Sequence, residues 1–110
     1  MLAAALAGLA ALPGAAQPPV IECVATTQCR GDAKRMCAPS ALMIRVDRRG
    51  PGARLWIDRQ GPYAARAQAG ALVVEAFGPA YRLDIAPDGA FLYTGNRGKR
   101  FSGHCAEAGQ

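Results

Sequence analysis

Cys23, Cys29, Cys37 and Cys105 are the residues in this chain with the widest choice of chemistry. Three are crowded into 15 residues and the fourth stands near the far end. Thiols can form disulfides, hold a metal or act as nucleophiles. A zinc site would draw on Cys23, Cys29, Cys37 and either His104 or Cys105. The first three are spaced by six and eight residues, without the Cys-x-x-Cys knuckle that structural zinc sites favour. A catalytic thiol needs a base, and His104 is the sole histidine. It adjoins Cys105, and on a strand neighbouring side chains point to opposite faces. Disulfide formation is the reading left, and an even cysteine count in a short exported chain agrees with it.

Other candidates for chemistry are sparse. Arg30-Gly31-Asp32 lies between Cys29 and Cys37 and matches the Arg-Gly-Asp of adhesion loops, but Gly-Asp is also what a tight turn requires. With Lys34 and Arg35 the same segment would present a compact basic knob, so Arg30, Lys34 and Arg35 are the candidate binding residues. Asp84 and Asp88 are close in sequence, but Asp88 belongs to a Pro-Asp-Gly turn and is not free for acid–base work. No glycine-rich loop follows a strand and opens a helix, as phosphate cradles do. Trp56, Tyr63, Tyr81 and Tyr93 among many arginines could stack nucleobases. At 6% aromatic residues, strand alternation will send several of these rings into the core. The expectation is a non-enzymatic protein without a cofactor and without specific affinity for nucleic acid.

The elements that must position these residues begin after residue 16. Residues 1–16 are nearly all Ala and Leu and end in Pro13-Gly14-Ala15-Ala16. They read as a signal peptide, too short to span a bilayer. Residues 17–110 form one domain, small enough to gain from covalent staples. The 110 residues carry a net charge of +5, and eleven of the 13 basic residues are Arg. That surplus suits an anionic envelope component or an acidic protein partner in the periplasm or outside the cell.

Short alternating runs then follow one another, bounded by Gly and Pro. They are expected at 20–26, 41–47, 54–59, 63–68, 72–77, 80–85, 90–94 and 99–105. Leu42, Ile44 and Val46 should share one face, as should Leu55 and Ile57, with Arg45, Asp47, Arg54, Trp56 and Asp58 on the other. The breaks fall at 48–52, 60–62, 78–79, 87–89 and 95–98, and connections this short join antiparallel neighbours. The fold class is therefore all-β: an antiparallel meander of about eight short strands, closed into a small barrel or folded into a sandwich, and disulfide-stapled.

Four cysteines allow three pairings. Closure of a meander favours Cys23–Cys105, tying the first strand to the last, together with Cys29–Cys37. In the chain-entropy picture these closures contribute about 4.5 and about 2.6 kcal/mol.

The stretch Leu83-Asp84-Ile85-Ala86-Pro87-Asp88-Gly89-Ala90-Phe91-Leu92-Tyr93-Thr94, the ending Gly103-His104-Cys105 and the early cysteine spacing resemble small secreted bacterial proteins of uncharacterised function. That resemblance implies export, disulfides and an all-β domain, and no site residues. A fainter likeness is to periplasmic inhibitors of C-type lysozyme, small β-barrels with an early-to-late disulfide. Their Ser-Gly-x-x-Tyr inhibitory segment has no counterpart here, and a +5 protein would repel a basic lysozyme.

Overall fold

The computed structural model describes residues 18–31 and 34–108. The expected leader at 1–16, Asp32 and the side chain of Lys34 lie outside the described residues. Nine strands form one antiparallel sheet: β1 (Val20–Cys29), β2 (Cys37–Pro39), β3 (Met43–Asp47), β4 (Ala53–Ile57), β5 (Gln60–Gln68), β6 (Ala71–Val74), β7 (Arg82–Ile85), β8 (Ala90–Thr94) and β9 (Arg100–Glu107). β3 to β9 follow as a meander from β1, and β9 returns to pair with β1. Eight strands thus close a barrel, and β2 is an additional short strand on the far half of β1.

Alternation explains which side each residue takes. Ile21, Cys23, Ile44, Val46, Leu55, Leu72, Val74, Leu83, Phe91 and Tyr93 belong to one buried cluster, and each lies on the inward register of its strand. Ile44, Val46, Leu55, Val74 and Cys23 are fully inaccessible. An eight-stranded barrel is just wide enough for side chains to fill it, and branched residues fill this one. Each such burial contributes about 1.5–3 kcal/mol.

The two disulfides are Cys23–Cys105 and Cys29–Cys37. Both join directly opposed residues, Cys23 across from Cys105 on β9 and Cys29 across from Cys37 on β2. The long-range bond therefore seals the seam where the sheet closes. Gly103 sits on the same seam, beside a register shift in β1. A Cβ there would strike the carbonyl oxygen of Val24 and come within 2.8 Å of the Ala25 Cα, so only glycine allows the two strands this approach.

The structure departs from the expected strand pattern at several points. Gln60-Gly61-Pro62 is not a break; it lies within β5, and the preceding hairpin turns at Asp58-Arg59, both at positive φ. Asp58 is held there by two bonds to Met43, its amide donating to the carbonyl oxygen and its Oδ1 accepting from the amide. The run at 72–77 stops at Val74, where the amides of Phe77 and Gly78 both donate to the Val74 carbonyl oxygen and turn the chain; the Phe77 ring centre then lies 4.9 Å from that of Tyr63. The strand Cys37–Pro39 was not anticipated. It is three residues long, and its first residue, Cys37, is bonded to the directly opposed Cys29.

Candidate functional site: an arginine-lined groove at one barrel end

One end of the barrel is formed where β3 and β5 finish and β4 and β6 begin. Here the turn from β3 to β4 carries Arg48 and Arg49, and the neighbouring strands supply Arg54 and Arg66. These four guanidinium residues line an open groove of about 930 Å³, with Ala53, Ala64, Ala65, Ala67, Leu72, Pro51, Gly52 and Glu75 making the rest of its wall. The register sets Ala53 opposite Ala65 and Arg54 opposite Ala64. Where larger residues would fill the space, alanines leave it open.

Asp47 organises one lip. Its side chain is 4% exposed and its oxygens accept four hydrogen bonds. Oδ1 takes the Arg49 amide at 2.9 Å and Arg49 Nε at 3.1 Å, while Oδ2 takes Arg49 Nη2 at 2.9 Å and Arg54 Nη2 at 3.1 Å. These bonds, led by the Arg49 side chain, hold the Asp47 carboxyl far below the ordinary carboxylate range. The same pairing raises the pKa of Arg49. A buried carboxylate needs such partners, since an unpaired charge away from water is costly. Arg54 also lies over the Trp56 ring, 5.7 Å from its centre.

Arg48 is held differently. Its amide donates to the Pro19 carbonyl oxygen at 2.7 Å, which fixes the turn against the start of β1. Its Nη1 is buried and has no hydrogen-bond partner. Burial lowers its pKa, but a guanidinium stays charged at neutral pH. Arg48 also lines a smaller cleft of about 110 Å³ on its other side, with Ile21, Ile85, Pro87 and Cys105. Its side chain therefore borders crevices on both sides of this barrel end.

A second depression, about 500 Å³, lies on the outer face of β1, β3 and β4, lined by Glu22, Met43, Arg45, Trp56 and Arg59. Arg45 is spent there on Glu22, at 2.9 Å. Arg82 is likewise paired with Asp84, and Asp88 Oδ1 accepts the Ala90 amide at 2.9 Å, so neither carboxylate of the Asp84/Asp88 pair is free.

The opposite end of the barrel is aromatic. Phe77 packs between Tyr63 and Tyr81, with ring centres 4.9 and 5.2 Å apart, and Tyr93 lies 6.0 Å from Phe101. The Tyr81 hydroxyl donates to Asn96 Oδ1 at 3.2 Å. Burial, with lesser repulsion from Tyr81 and Tyr63, pushes the Tyr93 phenol up to about 12.

The Cys29–Cys37 loop extends past this aromatic end. Arg30 and Arg35 are exposed on it, the Arg30 amide donates to the Met36 carbonyl oxygen, and Arg100 Nη2 donates to the Gly31 carbonyl oxygen at 2.8 Å. Lys34 begins the short 3-10 turn of this loop. The structure does not bring these loop residues together with the Arg48 groove. All four cysteines are in disulfides, and among the described residues no cluster of His, Cys, Asp or Glu could hold a metal ion. Among the same residues no helix is long and apolar enough to cross a membrane.

Sequence reasoning missed the groove. Its residues come from 48, 49, 54, 66 and 72, and only the register joins them. One signal was present: the small residues Ala64, Ala65 and Ala67 flank Arg66 within one short run. Searches against protein-family models, curated proteins and solved structures found no match for this chain.

Proposed function

We propose that the protein is exported and works in the periplasm or outside the cell as a non-enzymatic binding module for an anionic envelope component. The observation that carries this reading is the division between a filled barrel interior and an arginine-lined outer groove. With the interior occupied by the chain's own side chains, recognition falls to the surface, and the surface offers guanidinium groups. Two disulfides suit an oxidising compartment.

Sedimentation with phosphatidylglycerol vesicles tests the reading. Binding is expected at low ionic strength and should weaken as sodium chloride rises, because screening shortens the reach of surface charge. Absence of binding at low salt overturns it. Export is checked separately by fractionating cells that express the full chain: both disulfides should be found in exported material only.

A closed barrel with the Cys23–Cys105 bond is the observation favouring the second reading, a lysozyme-inhibitor-like protein. Equimolar addition to a C-type lysozyme separates the two, and undiminished lysozyme activity is the result the binding-module reading expects.

A further inference from the structure

The geometry points to a specific ligand class for the Arg48 groove: a phosphate monoester carried on an apolar body. This inference rests on the binding-module reading and deepens it by naming the site and the chemical group. Three features carry it.

The first is unused donor capacity. Arg48 Nη1 is buried without a partner in a residue that lines the groove. A buried donor left unmade costs free energy that an incoming acceptor recovers. Charge count is the second feature. Arg48, Arg49, Arg54 and Arg66 are set against Asp47 and Glu75, which leaves a surplus of two positive charges. Asp47 already accepts four bonds from Arg49 and Arg54, so Arg48 and Arg66 are the guanidinium groups left to meet a ligand. A dianionic phosphate monoester neutralises that surplus, and Arg is suited to holding its oxygens. A single carboxylate neutralises half of it. The third feature is the apolar wall. Ala53, half-buried, and the exposed Pro51, Ala64 and Ala67 form a surface for an alkyl chain. At about 930 Å³ the groove has room well beyond an inorganic anion.

Calorimetric titration with hexyl phosphate, inorganic phosphate and hexanoate tests the assignment, using the full chain, Arg48→Gln and Arg59→Gln. The last removes the same charge from the Trp56 depression. Hexyl phosphate should bind saturably and more tightly than the other two. Arg48→Gln should weaken it about tenfold or more, while Arg59→Gln leaves it unchanged. The backbone amides of residues 48–50, 52 and 53 in the unaltered protein should shift during the same titration, a readout that does not depend on a variant folding.

Vesicles of phosphatidylcholine with phosphatidic acid then distinguish the source of the phosphate. Arg48-dependent sedimentation assigns a lipid headgroup, and hexyl phosphate binding without sedimentation assigns a free amphiphilic phosphate. Hexanoate binding as tight as hexyl phosphate, equal losses in the two variants, or no shift at residues 48–53 would overturn the inference. Phosphatidylglycerol binding that survives alongside such a failure would leave the broader binding-module reading standing.

Discussion

At one end of the barrel Arg48 borders two crevices, and at the other tilted aromatic rings pack on one another. Arg48 has a buried nitrogen without a partner, whereas Phe77 is seated between Tyr63 and Tyr81 and Tyr81 is bonded to Asn96. Each end has its own disulfide. Cys105 lines the cleft beside Arg48, and Cys29–Cys37 clamps the loop beyond the rings. The difference separates tasks within one small sheet. At the aromatic end the rings pack on one another, with Phe77 itself 40% exposed. The Arg48 guanidinium has one buried nitrogen without a partner, and the small residues beside it leave the groove open.

The comparison is tested most severely through the disulfides. Replacing Cys23 and Cys105 with alanine together should be the most damaging change, with up to about 4.5 kcal/mol lost in the chain-entropy picture. For a domain of this size that corresponds to a fall of about 20 °C in Tm, read by circular dichroism. The Cys29→Ala, Cys37→Ala pair should cost less, about 2.6 kcal/mol, and leave hexyl phosphate binding intact. Equal losses from the two pairs would show that the seam and the clamp are not distinct in the way described. Gly103→Ala should also loosen the seam, because its Cβ meets the Val24 carbonyl and the Ala25 Cα.

The two ends should also answer to opposite limits of pH. The depressed pKa of Asp47 means that the folded carboxylate releases its proton more readily than the unfolded one. Its stabilisation is complete above the ordinary value of 3.8 and is lost as pH falls below it. Asp47→Asn should lower stability at neutral pH and flatten the acid limb. Tyr93 has the reverse sign. Its folded pKa is raised from 10.0 to about 12, so its contribution is present below pH 10 and lost as pH rises from there. Tyr93→Phe should make the alkaline limb less steep and leave the acid limb alone. Urea denaturation at stepped pH reads both.

Much of the scaffold was legible in the residues. Alternation placed Ile44, Val46 and Leu55 in the core, where they are fully buried. Closure of a meander favoured Cys23–Cys105, and the strands that carry those residues are paired. The Asp88 turn formed as Pro-Asp-Gly chemistry dictates. Local rules failed where tertiary contacts decide. Asp58 and Arg59 turn a hairpin without glycine because Met43 anchors Asp58. β2 is three residues long and is tied to β1 by a disulfide between directly opposed residues, a contact no local pattern announces.

The candidate site was the least legible part, and for the same reason. Arg30, Lys34 and Arg35 stood out because they are neighbours in sequence. Arg48, Arg54 and Arg66 become neighbours only through the pairing of β4 with β5 and the turn from β3. Asp47, placed on the outer face by alternation, is nonetheless buried, since Arg49 and Arg54 fold over it.

The most direct measurement is a residue-by-residue map of amide shifts on titrating the full, oxidised chain with hexyl phosphate. The account predicts that the largest shifts cluster at Arg48–Ala53, Arg66 and Leu72, with Arg30, Arg35, Tyr81 and Asn96 unmoved. Shifts concentrated at the Cys29–Cys37 loop or the aromatic end, with residues 48–53 silent, would contradict it.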